Sequence, residues 1–111
     1  MDYIEYTDFA KVDFRIGEIV EAKKVEDSEK LIRMRVDFGQ LGIKTVFSGI
    51  AKHYSPEELL NKKTVFVVNI KPRKIMGEES EAMIFAGESD DEKTISIMIL
   101  DKDLSNGSKV F

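Results

Sequence analysis

Cysteine is absent from the 111 residues, histidine occurs once and proline twice. Without cysteine the chain has neither a disulfide framework nor a thiolate metal site, which fits a reducing compartment and sets a cytoplasmic expectation. A single histidine, His53, with no HExxH, no GxSxG and no glycine-rich phosphate loop, leaves little from which to build a catalytic site. His53 precedes Tyr54 and a helix cap, where it reads as a surface residue, so no enzyme is expected. No apolar run approaches the ~20 residues that span a bilayer. The acidic start, Met1-Asp2-Tyr3-Ile4-Glu5, lacks the apolar segment of a signal peptide. Asp101-Lys102-Asp103-Leu104-Ser105 has carboxylates at calcium-loop spacing, but Asn106 stands where that loop needs glycine. It reads as a turn, and neither metal nor cofactor is expected. Repeats, low-complexity tracts and linkers are lacking too, so residues 1–111 read as one domain.

Positive charge is also in short supply. Lys and Arg number 17 against 21 Asp and Glu, a net charge of −4, which at first sight opposes nucleic-acid binding. The charge is unevenly spread, however. Residues 1–43 carry 7 basic and 10 acidic side chains, residues 44–74 carry 7 and 2, and residues 75–111 carry 3 and 9. A basic centre between acidic flanks is compatible with a local anion site, and equally with a surface of uneven charge.

Apolar residues are plentiful, at 42% of the chain, enough for one core. Ile32, Met34, Val36 and Phe38 alternate with Arg33, Arg35 and Asp37, the period of a half-buried strand with both arginines on one outward face. Phe14-Arg15-Ile16 opens another strand, in which Gly17 suggests a bulge or tight bend. Ile43 to Ser48 is a third. Thr64 to Ile70 is apolar on both parities and should be central or covered on both faces. Ala82 to Ala86 and the Ile95, Ile97, Ile99 alternation complete the strands. Ser55-Pro56-Glu57-Glu58-Leu59-Leu60 carries an N-cap serine, proline at the first helical position, a capping-box glutamate and Asn61 at the exit. A shorter helical turn at Thr7-Asp8 is expected to carry Phe9 and Val12 inward. Val25–Lys30, Gly39–Gly42, Lys71–Gly77 and the acidic 88–92 segment read as loops, and Asn106-Gly107 as a tight turn. Several short strands with one helix after the third match an all-β OB-fold, a five-stranded Greek-key barrel with a short helix between strands 3 and 4. That fold commonly binds oligonucleotides on its strand 2–3 face.

Asn69-Ile70-Lys71-Pro72-Arg73-Lys74-Ile75-Met76-Gly77 is the stretch richest in binding chemistry. Asn69, at the end of a buried strand, either offers donor and acceptor to a base edge or is satisfied by loop backbone. Pro72 stiffens a turn on which Lys71, Arg73 and Lys74 form a phosphate clamp or a solvated basic surface. Met83 fills core or lies flat against a base, and Ser80 caps a turn or bonds RNA. Lys30 stands where a side chain reaches a phosphate beside strand 2. Phe47, Tyr54, Phe66 and Phe85 are candidate stacking platforms, most of them expected in the core.

Asp27-Ser28-Glu29-Lys30-Leu31, Ser48-Gly49-Ile50-Ala51-Lys52-His53-Tyr54-Ser55-Pro56-Glu57-Glu58-Leu59, the 69–77 stretch and Ser80-Glu81-Ala82-Met83 together resemble the tRNA-binding domain family. Its members include stand-alone dimeric tRNA-binding proteins, the C-terminal domain of many methionyl-tRNA synthetases, and the endothelial-monocyte-activating polypeptide domain. The likeness runs from about Phe9 to Lys109, and Asp13-Phe14-Arg15-Ile16-Gly17 is similar to the family's opening strand. The resemblance implies an OB-fold, recognition of tRNA by shape, and commonly a homodimer, with the chain ends and the Thr64–Ile70 strand as places for its interface. By position it implies RNA-facing roles for Lys30, Ser48, Lys52, Asn69, Lys71, Arg73, Lys74, Ser80 and Met83. An aminoacyl-tRNA synthetase is a further implied partner. Two departures bear on affinity: Ala82 replaces a common glycine, and the 88–92 loop carries four carboxylates. Asp37-Phe38-Gly39, Leu41-Gly42-Ile43-Lys44 and Leu60-Asn61-Lys62 also look like an export-chaperone branch of the same barrel, which binds peptide. The Ser28–Leu31 and Ser48–Ala51 blocks favour the tRNA branch.

Overall fold

The alternation at Ile32–Asp37 is a strand whose residues are in turn buried and half-buried, as the period requires. It sits second in a mostly β chain, described over all 111 residues by a computed structural model. In order the elements are α1 (Tyr6–Phe9), β1 (Phe14–Lys24), β2 (Ile32–Asp37), a 3₁₀ turn (Gly39–Leu41), β3 (Ile43–Ser48), α2 (Pro56–Leu59), β4 (Lys63–Val67), β5 (Arg73–Ile75), β6 (Glu78–Ser80), β7 (Met83–Ile84), β8 (Ala86–Glu88), β9 (Ile95–Ile97) and β10 (Lys109–Val110). The main sheet runs β3-β2-β1-β4-β7, with β10 added to β1; β5–β6 and β8–β9 are separate hairpins. All the main-sheet pairings are antiparallel.

The gap between β3 and β7 is bridged by the residues between β6 and β7. The Glu81 backbone N–H donates to the Thr45 carbonyl at 2.8 Å. The Thr45 N–H donates to the Glu81 carboxylate at 2.8 Å, and the Phe47 N–H to Ser80 Oγ at 3.0 Å. These bonds nearly close the sheet into the expected barrel, with α2 between β3 and β4. Its core gathers Ile19, Ile32, Met34, Val36, Phe38, Val46, Leu59, Phe66 and Ile97, with Phe38 and Phe66 edge to face at 5.2 Å.

The cap of α2 forms as its sequence dictates. Ser55 Oγ accepts from the Glu58 N–H at 3.3 Å, Glu58 accepts from the Ser55 N–H at 2.9 Å, and Asn61 leaves the helix at φ 68°. The bonds from the Ser55 backbone and side chain hold the Glu58 carboxyl below its ordinary titration range.

Several expectations are corrected. Gly17 is not the bulge; the register break lies between Ile19 and Glu21. Glycine is required at 17 because a Cβ there would come within 2.5 Å of the Phe38 ring and 2.6 Å of Val36. Phe9 and Val12 do not turn into the core but stay 39% and 37% exposed. Phe9 instead stacks between Tyr6 and Phe14, at 6.2 and 5.6 Å. The Thr64–Ile70 stretch ends as a strand at Val67, with Thr64 and Phe66 fully buried. Its two edges are covered by β1 and β7, so a second copy could not add to it by strand pairing. The Lys71–Gly77 loop is largely hairpin: β5 leads through Met76-Gly77, at φ 54° and 84°, into β6. Ile99 lies beyond β9 and is exposed. No helix is long and apolar enough to cross a membrane.

Candidate nucleic-acid interface

The β5–β6 hairpin organises the surface that the sequence marks out. Arg73 opposes Ser80 and Ile75 opposes Glu78, so by the two-residue period these four share one face and Lys74 and Glu79 the other. The first face lies on the barrel. Ser80, buried, bonds the β3 backbone at Phe47, and Glu78 takes a two-pronged pair from Arg33, Nε to Oε1 at 2.7 Å and Nη2 to Oε2 at 2.8 Å. These guanidinium hydrogen bonds hold the Glu78 carboxyl below its usual range, with Arg33, Arg35 and Lys23 adding electrostatic help. Arg35 donates to Thr45 Oγ1 at 2.7 Å. The outward arginines of β2 therefore do share a face, where Arg33 is held by Glu78 of the hairpin and Arg35 by Thr45 of β3.

Of the residues assigned to RNA, Lys71, Arg73, Ser80 and Met83 come together with Phe47, Ile70 and Ala82 around a cavity of about 230 Å³. Its walls are about half apolar, with Ile70 and Met83 43% and 45% exposed. Lys71, Arg73 and Lys74 are exposed and none forms an ion pair. Lys74 projects from the outer face of the hairpin. Lys30, Ser48 and Lys52 form a neighbouring group, because Ser48 pairs with Ile32 and the Lys30 carbonyl accepts from the Ala51 N–H at 2.9 Å. Lys30 and Lys52 are exposed, and Ser48 is half-buried.

Asn69 has other partners. It lies in an exposed bend past the end of β4, where Oδ1 accepts from the Asp13 N–H at 2.8 Å and Nδ2 donates to the Lys11 carbonyl at 2.7 Å. It holds the segment between α1 and β1. Of the candidate aromatics, Phe66 is core. Tyr54 accepts from the Ile97 N–H through its hydroxyl, and Phe85 packs edge-on against Phe14. Phe47, 9% exposed, presents an edge to the cavity. Ile70 is the wall residue that sequence reasoning passed over; its position two residues before Pro72 was the available signal. The acidic residues 88–92 belong to the β8–β9 hairpin, where Ser89, Asp91 and Thr94 bond one another.

The OB barrel is thus nearly closed, with a stapled hairpin beside a depression that carries Lys71 and Arg73. A family model described as a putative tRNA binding domain matches residues 14–109. The chain belongs to that tRNA-binding domain family. It is 46% identical over 110 residues to the methionine–tRNA ligase of Caldanaerobacter subterraneus subsp. tengcongensis, covering 99% of this chain and 17% of that one. It thus spans about a sixth of that relative's length. Among solved structures, a MetRS related protein from Pyrococcus horikoshii superposes with a TM-score of 0.93 at 34% identity, covering 100% of each chain. The chaperone CsaA from Bacillus anthracis str. Ames gives 0.88 at 31% identity, covering 99% of this chain and 100% of that one.

Proposed function

We propose that the chain is a non-catalytic, structure-selective tRNA-binding protein of the cytoplasm. It works as a homodimer, either as a tRNA chaperone or as an accessory module beside a methionyl-tRNA synthetase. The observation that carries this reading is the pair Lys71 and Arg73, exposed and without ion-pair partners at a half-apolar depression, while Glu78 is neutralised by Arg33 and Lys74 adds a further cation on the outer face of the hairpin. Free cations at the rim attract phosphates, and an apolar pocket suits an unstacked base. The net charge of −4 confines that attraction to one face and disfavours indiscriminate adhesion to polyanions. Asn69 contributes by positioning the α1–β1 segment.

The test is a titration of total tRNA at several salt concentrations. Affinity should fall with a log–log slope of roughly 0.7–0.9 per phosphate contacted. The Lys71→Ala, Arg73→Ala double variant should bind weakly and with a shallower slope. Salt-independent binding, or equal affinity for any single strand, counts against the proposal.

A second reading, a peptide-binding export chaperone, draws on the likeness to CsaA over nearly the whole chain and on the apolar walls of the same depression. It predicts capture of unfolded polypeptide that survives the double substitution.

The homodimer rests on the chain ends. Tyr6, Phe9, Phe14, Val110 and Phe111 line a groove of about 510 Å³, and Tyr3, Ile4 and Tyr6 beside it are 91%, 70% and 76% exposed. Exposed aromatic side chains gathered in this way mark a candidate surface for a second copy.

A further inference from the structure

The tip of the β5–β6 hairpin lies outside the hydrophobic core. The turn Met76-Gly77 has both residues in the left-handed region, the form of two-residue hairpin turn that favours Asn-Gly. A methionine there adopts a conformation its side chain disfavours. It recovers little by burial, since Met76 is 58% exposed. The tip is nonetheless firmly held, because Glu78, immediately after the turn, is clamped by both prongs of Arg33, and Ser80 is bonded to β3. An apolar side chain fixed in an unfavourable conformation, and pointed into water by a rigid arm, is explained by what it meets there.

Beneath this tip is a second depression of about 320 Å³, lined by Lys23, Lys24, Arg33, Phe47, Met76 and Glu78, with Val25 and Glu26 at its margin. Phe47 lines this depression and also the one that holds Lys71 and Arg73. The two hollows therefore meet at one residue, Phe47. Lys23 and Lys24 are exposed at the end of β1 and belong to no ion pair, whereas Glu78 is taken by Arg33. Glu26 is the one lining carboxylate without a cation partner, so the lining is net positive.

We propose that this second depression is part of the RNA-binding surface: an unstacked nucleobase rests against the Met76 thioether, and its flanking phosphate is held by Lys23 and Lys24. This rests on the tRNA-binding reading above and extends it across the hairpin. Methionine suits the task, since its polarizable sulfur packs against any ring face and apolar wedges of this type abut or part bases in nucleic-acid complexes. The net positive lining favours RNA as the occupant over a polypeptide.

The decisive variant is Met76→Gly. Glycine is at ease in the left-handed turn, so the hairpin is kept and the side chain alone is lost. Thermal stability should be maintained or raised. Affinity for total tRNA should fall about two- to ten-fold, the range expected for one sulfur–ring contact. The salt slope should stay unchanged. Lys23→Ala with Lys24→Ala should instead flatten the slope by about 0.7–0.9 per lost phosphate contact. Chemical probing of the bound tRNA should show a base protected by wild type and reactive again with Met76→Gly. Unaltered affinity and protection in Met76→Gly, with tRNA binding still abolished by Lys71→Ala plus Arg73→Ala, overturns this site and leaves the central one standing. Absence of tRNA binding by wild type overturns both, and protection of an unfolded polypeptide by Met76 in its place assigns the depression to peptide.

Discussion

Two single positions show how little of a residue's role lies in its type. Gly17 sits in mid-strand, where glycine ordinarily weakens pairing, because the Phe38 ring and Val36 occupy the space a Cβ would take. Gly17→Ala is expected to lower stability by about 1–3 kcal/mol, the cost of overpacking a filled core, read as a fall in the denaturant midpoint with an unchanged slope. Asn69 was legible as a polar residue needing partners, but not which partners. Its two bonds go to Lys11 and Asp13, 58 and 56 positions away, and no local pattern encodes such a distance. Asn69→Ala should cost about 1–2 kcal/mol for two hydrogen bonds and speed hydrogen exchange at the Asp13 amide. Unchanged exchange there would refute the clamp.

At the scale of elements, legibility follows the range of the forces. The α2 helix could be read residue by residue because its capping box, proline and exit asparagine all lie within seven positions. The β2 strand was equally plain from its period. The β5–β6 hairpin was read as a loop because its strands are three residues long and it is fixed by Arg33–Glu78 across 45 positions. That pair makes the hairpin sensitive to acid. With the Glu78 carboxyl held low by Arg33 in the folded chain, its stabilisation is complete above the ordinary glutamate range and is lost as pH falls through the depressed folded value. Thermal unfolding of wild type and Glu78→Gln should therefore differ near neutrality and converge on acidification. A gap that stays constant with pH would show that the ion pair contributes nothing. Ser55→Ala, which breaks the α2 cap, should lower stability by about 1 kcal/mol.

For the molecule as a whole, the barrel was legible from strand count and helix position, and the central basic third contained Lys71, Arg73 and Lys74. The capture of Arg33 by Glu78 was not legible, because nothing in β2 itself announces that another element reaches it. The exposed aromatic cluster at the chain ends carries the prediction for assembly. Tyr6→Asp with Phe9→Asp should convert a dimer to a monomer in sedimentation while leaving the fold intact, since neither residue is buried in the single chain. A wild-type monomer at micromolar concentration would remove the dimer from the proposal. The long first strand has a consequence for how the chain is made. Phe14 pairs with Val67 on one edge and Val110 on the other, so its last partner lies 96 positions downstream. At roughly 5–20 residues per second, the ribosome leaves the Phe14–Arg15 end of that edge open for about 5–20 seconds after Phe14 is synthesised. During that interval the strand is a template for mispairing with other nascent chains, and translation speed, rather than the stability of the finished barrel, sets how long the hazard lasts.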